Sequence, residues 1–553
     1  MTETIRIFCK NTHAYTEVPV GISLEEIYQR LNINLPHLCV GAQVNNRAEG
    51  LNYRIYKPKD IEFIDISSSS GMRIYVRSLC FVLYMATDEV IPNCRLRIEH
   101  PISRGYYCEI NHHQPISDDQ IEQIRTRMQT IIALDLPFVR EETHTTEAVK
   151  LFREKNLNDK ADLLETSGQL YTDYYRLDHH YDYYYGSLLP STGRLYLFDL
   201  QRYNEGLLLV IPSRANPQQL EPVVPQPKMM QILEESAHYN FIAGLSNVGK
   251  MNKVIMKGQG SILLQVSEAL QEKKISGIAD EIASRKNIRI VLISGPSSSG
   301  KTTFAKRLSV QLMTNLIRPV SISLDDYFVN RENTPRDAGG DYDYESLHAL
   351  DLELFNNDLQ KLIIGQEIDL PTFNFQTGQR HYTGKKLKLH PSSVLILEGI
   401  HALNPALTPH IAEDMKYRIY VSALTTISLD DHNWIPTSDN RLIRRIVRDY
   451  QFRHYSAVDT IARWESVRAG EEKWIYPYQE NADAMFNSAM LYELAVLKEY
   501  AEPILRQVPA SVPEYAEAYR LERFLSYFKP IHESEIPPTS LLREFLGGSS
   551  FQY

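Results

Sequence analysis

Cysteines, tryptophans and long hydrophobic runs are all scarce in this chain of 553 residues. The 5 cysteines are scattered, odd in number and never form a CxxC pair, which disfavours a disulfide framework and a zinc ribbon. The longest apolar run lies near residues 79–86 and is shorter than the roughly 20 residues that cross a bilayer. No basic stretch followed by an apolar run opens the chain, so no signal peptide is expected. These absences predict a cytoplasmic protein with reduced thiols and no membrane segment.

A surplus of positive charge is also missing, because the formal net charge is −10 and the pI is near 6.0. This balance disfavours bulk electrostatic binding of nucleic acid, although a contact through the N-terminal half stays open. A hydrophobic content of 43% is ordinary for a globular protein. At roughly 100–200 residues per domain, the length predicts two to four domains.

A glycine-rich stretch, Gly295-Pro-Ser-Ser-Ser-Gly-Lys-Thr302, follows an apolar run and precedes a segment of helical period. Strand, glycine-rich turn and helix in this order are typical of a phosphate-binding P-loop. We expect Lys301 to reach the β- and γ-phosphates of a nucleoside triphosphate and Thr302 to ligate Mg²⁺. The residues expected to bind ATP in this stretch are Gly295, Pro296, Ser297, Ser298, Ser299, Gly300, Lys301, Thr302 and Thr303.

A second GxxxxGK match lies at residues 244–250. It ends in Met251, which has no hydroxyl for Mg²⁺, and no long strand leads into it. We therefore interpret it as a loop that matches by chance, between helices predicted at about 228–235 and 261–285.

Apolar runs at 288–293, 319–324, 393–397 and 417–421 alternate with helical patterns, which is typical of a parallel α/β sheet. Ligands of such sheets bind at the carboxyl ends of the strands. Asp325 follows the second run, where it is placed to accept a proton and to help hold Mg²⁺. Glu398 ends the third run, where a Walker B acid would act on the metal.

Taken together, these motifs resemble the uridine kinase and phosphoribulokinase family of P-loop kinases. Besides the P-loop, the matching stretches occur in the family's order: Leu-Asp-Asp-Tyr-Phe at 324–328, Leu-Pro-Thr-Phe-Asn-Phe at 370–375, Leu-Glu-Gly-Ile at 397–400 and the arginine-rich 441–449. A solvated basic helix face is the alternative interpretation of this last stretch.

The resemblance implies an ATP- and Mg²⁺-dependent transfer of phosphate to an alcohol. Asp325 and Lys301 would be catalytic, and Thr302, Asp325 and Glu398 would surround Mg²⁺. Arg445 and Arg448 would belong to an arginine lid that closes on ATP. The residues implied in acceptor binding are Asp325, Tyr327, Asp343, Glu345, Phe373, Phe375, Arg380, Arg448 and Arg453.

Several residues that bind the acceptor in the family are different in this chain. The ribose-binding acid of the family falls on either Asp343 or Glu345, and a base-contacting histidine is replaced by Gly378. A lid arginine becomes Tyr455, and a pyrimidine-contacting glutamine aligns with Arg463. Since a pocket discriminates through such polar groups, the identity of the base stays open.

The front half resembles two modules of threonyl-tRNA synthetases. Residues 1–66 alternate strands around a capped helix and look like a ubiquitin-like TGS domain, and residues 67–214 look like the editing domain of that enzyme. Val82, Ala86, Tyr184 and Leu188 stand where the metal-binding histidines and cysteine of the editing site would be. We therefore expect this domain to be catalytically inactive. The adjacent pairs His112-His113 and His179-His180 are interpreted as solvated or structural.

The predicted fold is thus α/β, with a P-loop kinase domain with a parallel sheet at 286–553, preceded by two α+β domains and by a linker with helices at 215–285. The function hypothesis is a uridine kinase-like nucleoside kinase. Two alternatives stay open: a phosphoribulokinase-like kinase of a sugar phosphate or small alcohol, and a nucleotide-switched regulator that binds tRNA or the ribosome. Homo-oligomerisation also stays open.

Overall fold

The computed structural model describes residues 3–111, 115–242, 244–336 and 339–552. The pair His112-His113 lies outside these ranges. No helix in the described ranges has the length and apolar character needed to span a membrane.

The first unit is a five-stranded sheet in the order β2-β1-β7-β4-β5 with one helix packed on it. Its helix begins at a capping box, in which Ser23 and Glu26 satisfy each other's backbone N–H groups. The predicted strands and helix are confirmed. The elements are β1 Thr4–Cys9, β2 Ala14–Pro19, β3 Ile22–Ser23, α1 Leu24–Arg30, β4 Cys39–Val44, β5 Arg47–Gly50, β6 Arg54–Ile55 and β7 Asp60–Asp65.

The second unit surrounds a 22-residue helix, α2 (Ser69–Val90), that is apolar on nearly every face and is therefore buried. Val82, Ala86, Tyr184 and Leu188 pack in one hydrophobic cluster, so apolar packing fills the positions of the missing editing residues. The other elements are β8 Arg95–Ile102, β9 Gly105–Asn111, α3 Asp118–Ala133, β10 Val139–His144, α4 Thr145–Glu154, α5 Asn158–Ser167, β11 Tyr171–Leu177, β12 His180–Asp182, β13 Asp199–Tyr203 and β14 Gly206–Val210.

Three helices, instead of the two predicted, follow the proline-rich stretch. They are α6 Pro227–Ile242, α7 Val248–Met256 and α8 Gly260–Ser284. The interpretation of residues 244–250 as a loop is wrong for its last three residues, because the Asn247 side chain caps Lys250 N–H and starts α7. A helix, α6, precedes this match instead of a strand, which agrees with its interpretation as a chance match.

The third unit contains the predicted parallel sheet, with strand order β16-β19-β15-β20-β21. All four predicted strands are present, and an antiparallel hairpin, β17-β18, stands apart from the sheet. The elements are β15 Ile290–Ser294, α9 Lys301–Thr314, β16 Arg318–Ser323, α10 Leu352–Ile363, β17 Ile368–Asn374, β18 Gln379–Leu387, β19 Ser393–Glu398, β20 Lys416–Ser422, α11 Thr437–Arg453, α12 Ala457–Ala462, α13 Trp464–Trp474, β21 Ala484–Asn487, α14 Glu493–Leu505, α15 Tyr515–Leu525 and α16 Arg543–Leu546.

The loop at residues 428–434, between β20 and α11, is inserted into the second unit. Lys160 of α5 lies 2.7 Å from Asp182 and 2.9 Å from Asp430 of this loop, and all three side chains are fully buried. Burial alone would lower the pKa of Lys160, but the two carboxylates raise it. Trp434 lies with its ring centre 4.3 Å from that of Tyr106. Charge pairing and aromatic packing therefore join the two units.

Replacing Lys160 by methionine should strongly destabilise the folded chain. The substitution leaves Asp182 and Asp430 buried without their cation, a change that typically costs about 3–5 kcal/mol. The measurement is the urea midpoint of unfolding, with Lys150→Met as the control because 67% of that lysine side chain is exposed. Equal midpoints for the two variants would contradict this view of the interface.

Candidate active site

The predicted P-loop lies between the carboxyl end of β15 and the start of α9. Ser298 and Gly300 have positive φ values of 58° and 83°, which curl the backbone so that successive N–H groups turn inward. A Cβ atom on Gly295 would lie 1.9 Å from the Val421 carbonyl oxygen. Only glycine therefore lets the loop pass so close to β20. The result is a compact loop at the positive end of the α9 dipole.

Four predicted residues meet at this edge of the sheet. The Thr302 hydroxyl donates to the Glu398 carboxylate at 3.2 Å, and the Lys301 ammonium donates to the Pro296 carbonyl at 3.1 Å. β16 and β19 pair in parallel with Ser323 opposite Glu398, so Asp325, two residues beyond Ser323, reaches the same edge. The predicted proximity of these groups is thus confirmed.

Burial dominates the electrostatics of the two acids. It raises the pKa of Glu398 to about 7, with further contributions from the charges of Asp325 and Glu544 and with opposition from Lys301. The pKa of Asp325 is also raised by burial, against the attraction of Lys301. A carboxylate with a raised pKa is better suited to accept a proton at neutral pH than an ordinary surface carboxylate.

The donor set fits a magnesium triphosphate. Mg²⁺ prefers hard oxygen ligands and is commonly held by one or two carboxylates together with phosphates and water. Thr302, Asp325 and Glu398 supply such oxygens, and the start of α9 supplies N–H donors for phosphate. Within the described ranges, no three His, Cys, Asp or Glu side chains cluster closely enough to hold an ion by themselves.

Of the two acids left open by the sequence, Glu345 lies close enough to Arg445 and Lys301 to feel their charges. Its pKa is raised to about 7, mainly by burial and by Glu471, while Arg445 and Lys301 act in the opposite direction. Asp343 lies in a local turn, where its N–H donates to the Pro335 carbonyl at 2.8 Å. The Glu345 carboxyl is therefore the better candidate for an acceptor contact.

The aromatic side of the site is formed by the β17-β18 hairpin. The Phe373 and Phe375 rings lie 5.1 Å apart, and Phe328 lies 5.5 Å from Phe373. Phe375 is 57% exposed and Phe373 is buried, so the cluster presents one open ring face to a planar ligand. Phe328 was not singled out from the sequence, although it stands in the same motif as Asp325.

Two predicted acceptor residues are engaged within the protein. Tyr327 is buried, and its hydroxyl donates to the Asp358 carboxylate at 3.3 Å. This places Tyr327 in the core beneath the site. Arg380 forms an ion pair with Asp351 at 2.9 Å, next to Phe373 in the hairpin register.

The predicted lid arginines lie along the second half of α11. Arg445 donates to the Ser297 hydroxyl at 2.9 Å and thus touches the P-loop. Arg448 donates to Asp449 at 2.8 Å, and Arg453 lies 3.5 Å from the same carboxylate. Asp449 is buried and also lies 3.3 Å from Arg445. One carboxylate therefore holds three guanidinium groups that would otherwise repel one another.

Two arginines of α11 have a structural role that sequence reasoning missed. Arg441 and Arg444 are fully buried and pair with Glu471 and Glu493, respectively, each at 2.5 Å. Arg441 also donates to the Ser297 carbonyl at 3.1 Å. The interpretation of this stretch as a solvated face is therefore wrong for these two residues. The signal was the apolar Leu-Ile and Ile-Val pairs between the arginines, which indicate a helix buried on most sides.

Two further carboxylates contact the P-loop and were not foreseen. Glu471 accepts the Ser297 N–H at 3.0 Å. Glu544, from α16 near the C-terminus, accepts the Thr303 N–H at 3.1 Å and the Thr303 hydroxyl at 2.6 Å. Thr303, predicted to bind ATP, is thus in contact with a carboxylate of the same chain. Neither glutamate belongs to a local pattern that would have revealed it.

The raised pKa of Glu398 predicts a pH-dependent effect of Glu398→Gln on stability. Below about pH 4.5 the Glu398 carboxyl is neutral in both the folded and the unfolded chain. Between pH 4.5 and about 7 it ionises only in the unfolded chain. The free energy of unfolding of the wild type therefore falls as the pH rises through this range. The melting temperature of the variant should therefore exceed that of the wild type by an amount that grows from pH 4.5 to 7 and then levels off. Thermal unfolding at four pH values, with exposed Glu353→Gln as the control, measures this. A difference independent of pH would refute it.

Comparison with known proteins finds relatives of the region that contains this site. The model of the family described as "Phosphoribulokinase / Uridine kinase family" matches residues 290–494. A uridine kinase of Schizosaccharomyces pombe is 30% identical over 198 residues, which are 35% of this chain and 38% of that protein. Among solved structures, a possible uridine kinase from Bacillus stearothermophilus has 17% identity and a TM-score of 0.27, covering 39% of this chain and 100% of its own.

The front half matches a different group of proteins. A threonine–tRNA ligase of Rubrobacter xylanophilus is 30% identical over 185 residues, which are 34% of this chain and 29% of that protein. The chain thus spans less than two fifths of the length of either curated relative. Residues 290–494 form a P-loop kinase domain of the phosphoribulokinase and uridine kinase family, preceded in the same chain by a region similar to threonine–tRNA ligases.

Proposed function

We propose that this chain is an ATP- and Mg²⁺-dependent nucleoside kinase that transfers the γ-phosphate to the 5′-hydroxyl of a ribonucleoside. The observation that carries the proposal is the convergence of Lys301, Thr302, Asp325 and Glu398 at one sheet edge, beside an aromatic cluster with one open ring face. The four converging residues are suited to phosphoryl transfer, and the aromatic cluster is suited to binding a nucleobase.

Each residue has a distinct part in the proposed reaction. Bound MgATP supplies the γ-phosphoryl group. Asp325 accepts the proton of the acceptor hydroxyl as the new oxygen–phosphorus bond forms and the bond to ADP breaks. Lys301 and the N–H groups at the start of α9 neutralise the charge of the phosphates. Thr302 and Glu398 supply oxygens to the metal.

The acceptor is held by groups that need little rearrangement. In this proposal the exposed Phe375 ring stacks on the base and the Glu345 carboxyl contacts ribose hydroxyls; the exposure of Phe375 and the proximity of Glu345 to Lys301 support these roles. Arg445, Arg448 and Arg453 gather around Asp449 near the P-loop, where their charge favours the triphosphate. A sugar-phosphate acceptor is the second candidate, because the departures at Gly378, Tyr455 and Arg463 remove base contacts that the family resemblance implies.

Lys301→Ala should reduce ADP release from ATP by about 100-fold or more, since it removes a charge that stabilises the transferring phosphoryl group. Turnover is measured with Mg²⁺ and a panel of ribonucleosides, deoxynucleosides and sugar phosphates. Lys250→Ala is the matched control, because Lys250 ends the second GxxxxGK match and its ammonium donates to the Ser246 hydroxyl beside the start of α7. Its turnover should equal that of the wild type.

The panel separates the candidate functions. If one ribonucleoside stimulates ADP release, the result supports the nucleoside kinase. If only a sugar phosphate stimulates it, the result supports the sugar-phosphate kinase instead. Bound ATP without stimulation by any acceptor would contradict both kinases and favour a nucleotide-switched regulator that contacts RNA through the front half.

Asp325→Asn should lower kcat by about 10²- to 10⁴-fold, because the amide cannot take the proton from the acceptor. The affinity for ATP, measured by calorimetry, should change little. Asp326→Asn is the matched control: this neighbour accepts the Phe373 N–H at 3.4 Å, a bond that an asparagine oxygen retains. An equal loss of kcat in the two variants would show that Asp325 is not the base.

A further inference from the structure

The C-terminal segment lies on the phosphate-binding end of α9. The first N–H groups of a helix have no acceptor within the helix and point toward any anion placed at its start. Here the Glu544 carboxylate takes both the N–H and the hydroxyl of Thr303, at 3.1 and 2.6 Å. A carboxylate of the chain therefore occupies donors that a nucleotide phosphate would use.

The position of Glu544 is set by its apolar neighbours. Leu541, Leu542, Phe545 and Leu546 are all buried in the main hydrophobic cluster, so α16 is anchored on both sides of the glutamate. A Cβ atom on Gly300 would lie 2.5 Å from a Leu541 methyl carbon. The segment at residues 540–547, which we name the C-terminal strap, thus packs directly against the P-loop.

The strap also contacts the helix that carries the lid arginines. The Phe545 ring lies 5.0 Å from the Arg444 guanidinium, and a Cβ atom on Gly547 would lie 3.3 Å from the Phe452 ring. A change in the strap would therefore reach both the P-loop and the second half of α11.

The charges around Glu544 disfavour a nucleotide while this side chain is in place. Adding a triphosphate to this position brings more negative charge against Glu544 at the same donors. A charge-assisted hydrogen bond to Thr303 must be broken before a phosphate can replace it.

We propose that the C-terminal strap is autoinhibitory, with the Glu544 carboxylate competing with a nucleotide phosphate for the N–H and hydroxyl of Thr303. Binding of ATP requires that Glu544 withdraw, while the leucines and Phe545 keep the strap near the site. The inference rests on the nucleotide binding in the proposed function and concerns the same P-loop.

The test compares the affinity for ATP and ADP, by calorimetry with the full chain, among the wild type, Glu544→Gln and Glu544→Ala. Loss of a charged competitor should tighten binding by about tenfold, because the phosphate then meets no charged group at these donors. Glu535→Gln is the control, because this glutamate lies on the exposed surface just before the strap and should leave the affinity unchanged.

Thermal unfolding accompanies each binding measurement. The proposal would be overturned if both Glu544 variants bound nucleotide as weakly as the wild type, or more weakly, at an unchanged melting temperature. Glu544 would then be a permanent cap of α9. Tighter binding in a variant that still phosphorylates no acceptor would support the strap and contradict the proposed kinase. Failure of every variant and of the wild type to bind ATP would overturn both.

Discussion

The N–H groups at the start of α9, which find no acceptor within the helix itself, are the constraint on which the rest of the site depends. A helix start needs acceptors or anions, and this one is surrounded by groups that supply or balance negative charge. Glu471 and Glu544 take N–H groups from the two ends of the loop, while Arg441 neutralises Glu471 in turn. The loop is therefore held in shape by a buried network of charges, in which Glu544 occupies donors at the start of α9.

This network connects the site to the front half of the chain through α11. Its first turn is fixed by Asp439, which pairs with Arg520 at 2.6 Å, and Glu517 bridges Arg520 to Arg73 of α2. The loop just before α11 is inserted into the second unit through Asp430. The helix that carries the lid arginines is thus anchored by the region similar to threonine–tRNA ligases, and the two halves share a rigid element instead of meeting through a flexible linker.

Features that depend on neighbouring residues could be predicted from the sequence. The P-loop, the strands that flank it and the acids at the strand ends follow from periodicity over a few residues and from glycines at positions of positive φ. That Val82 and Ala86 cannot bind a metal was equally readable, because this depends on residue type alone. The start of α7 was missed, since its one-residue cap at Asn247 carries a weaker signal than a long apolar period.

The sequence by itself determined the chemistry that Lys301, Thr302, Asp325 and Glu398 can perform, because this depends on residue type and position along the strands. Only the tertiary structure decided which groups surround them. It placed Glu345 near Lys301 and Arg445, buried Tyr327 and paired Arg441 with Glu471. It also brought Glu544 onto Thr303 across more than two hundred residues. Such contacts arise when elements that are distant in the sequence pack together, and no periodic sequence pattern predicts them.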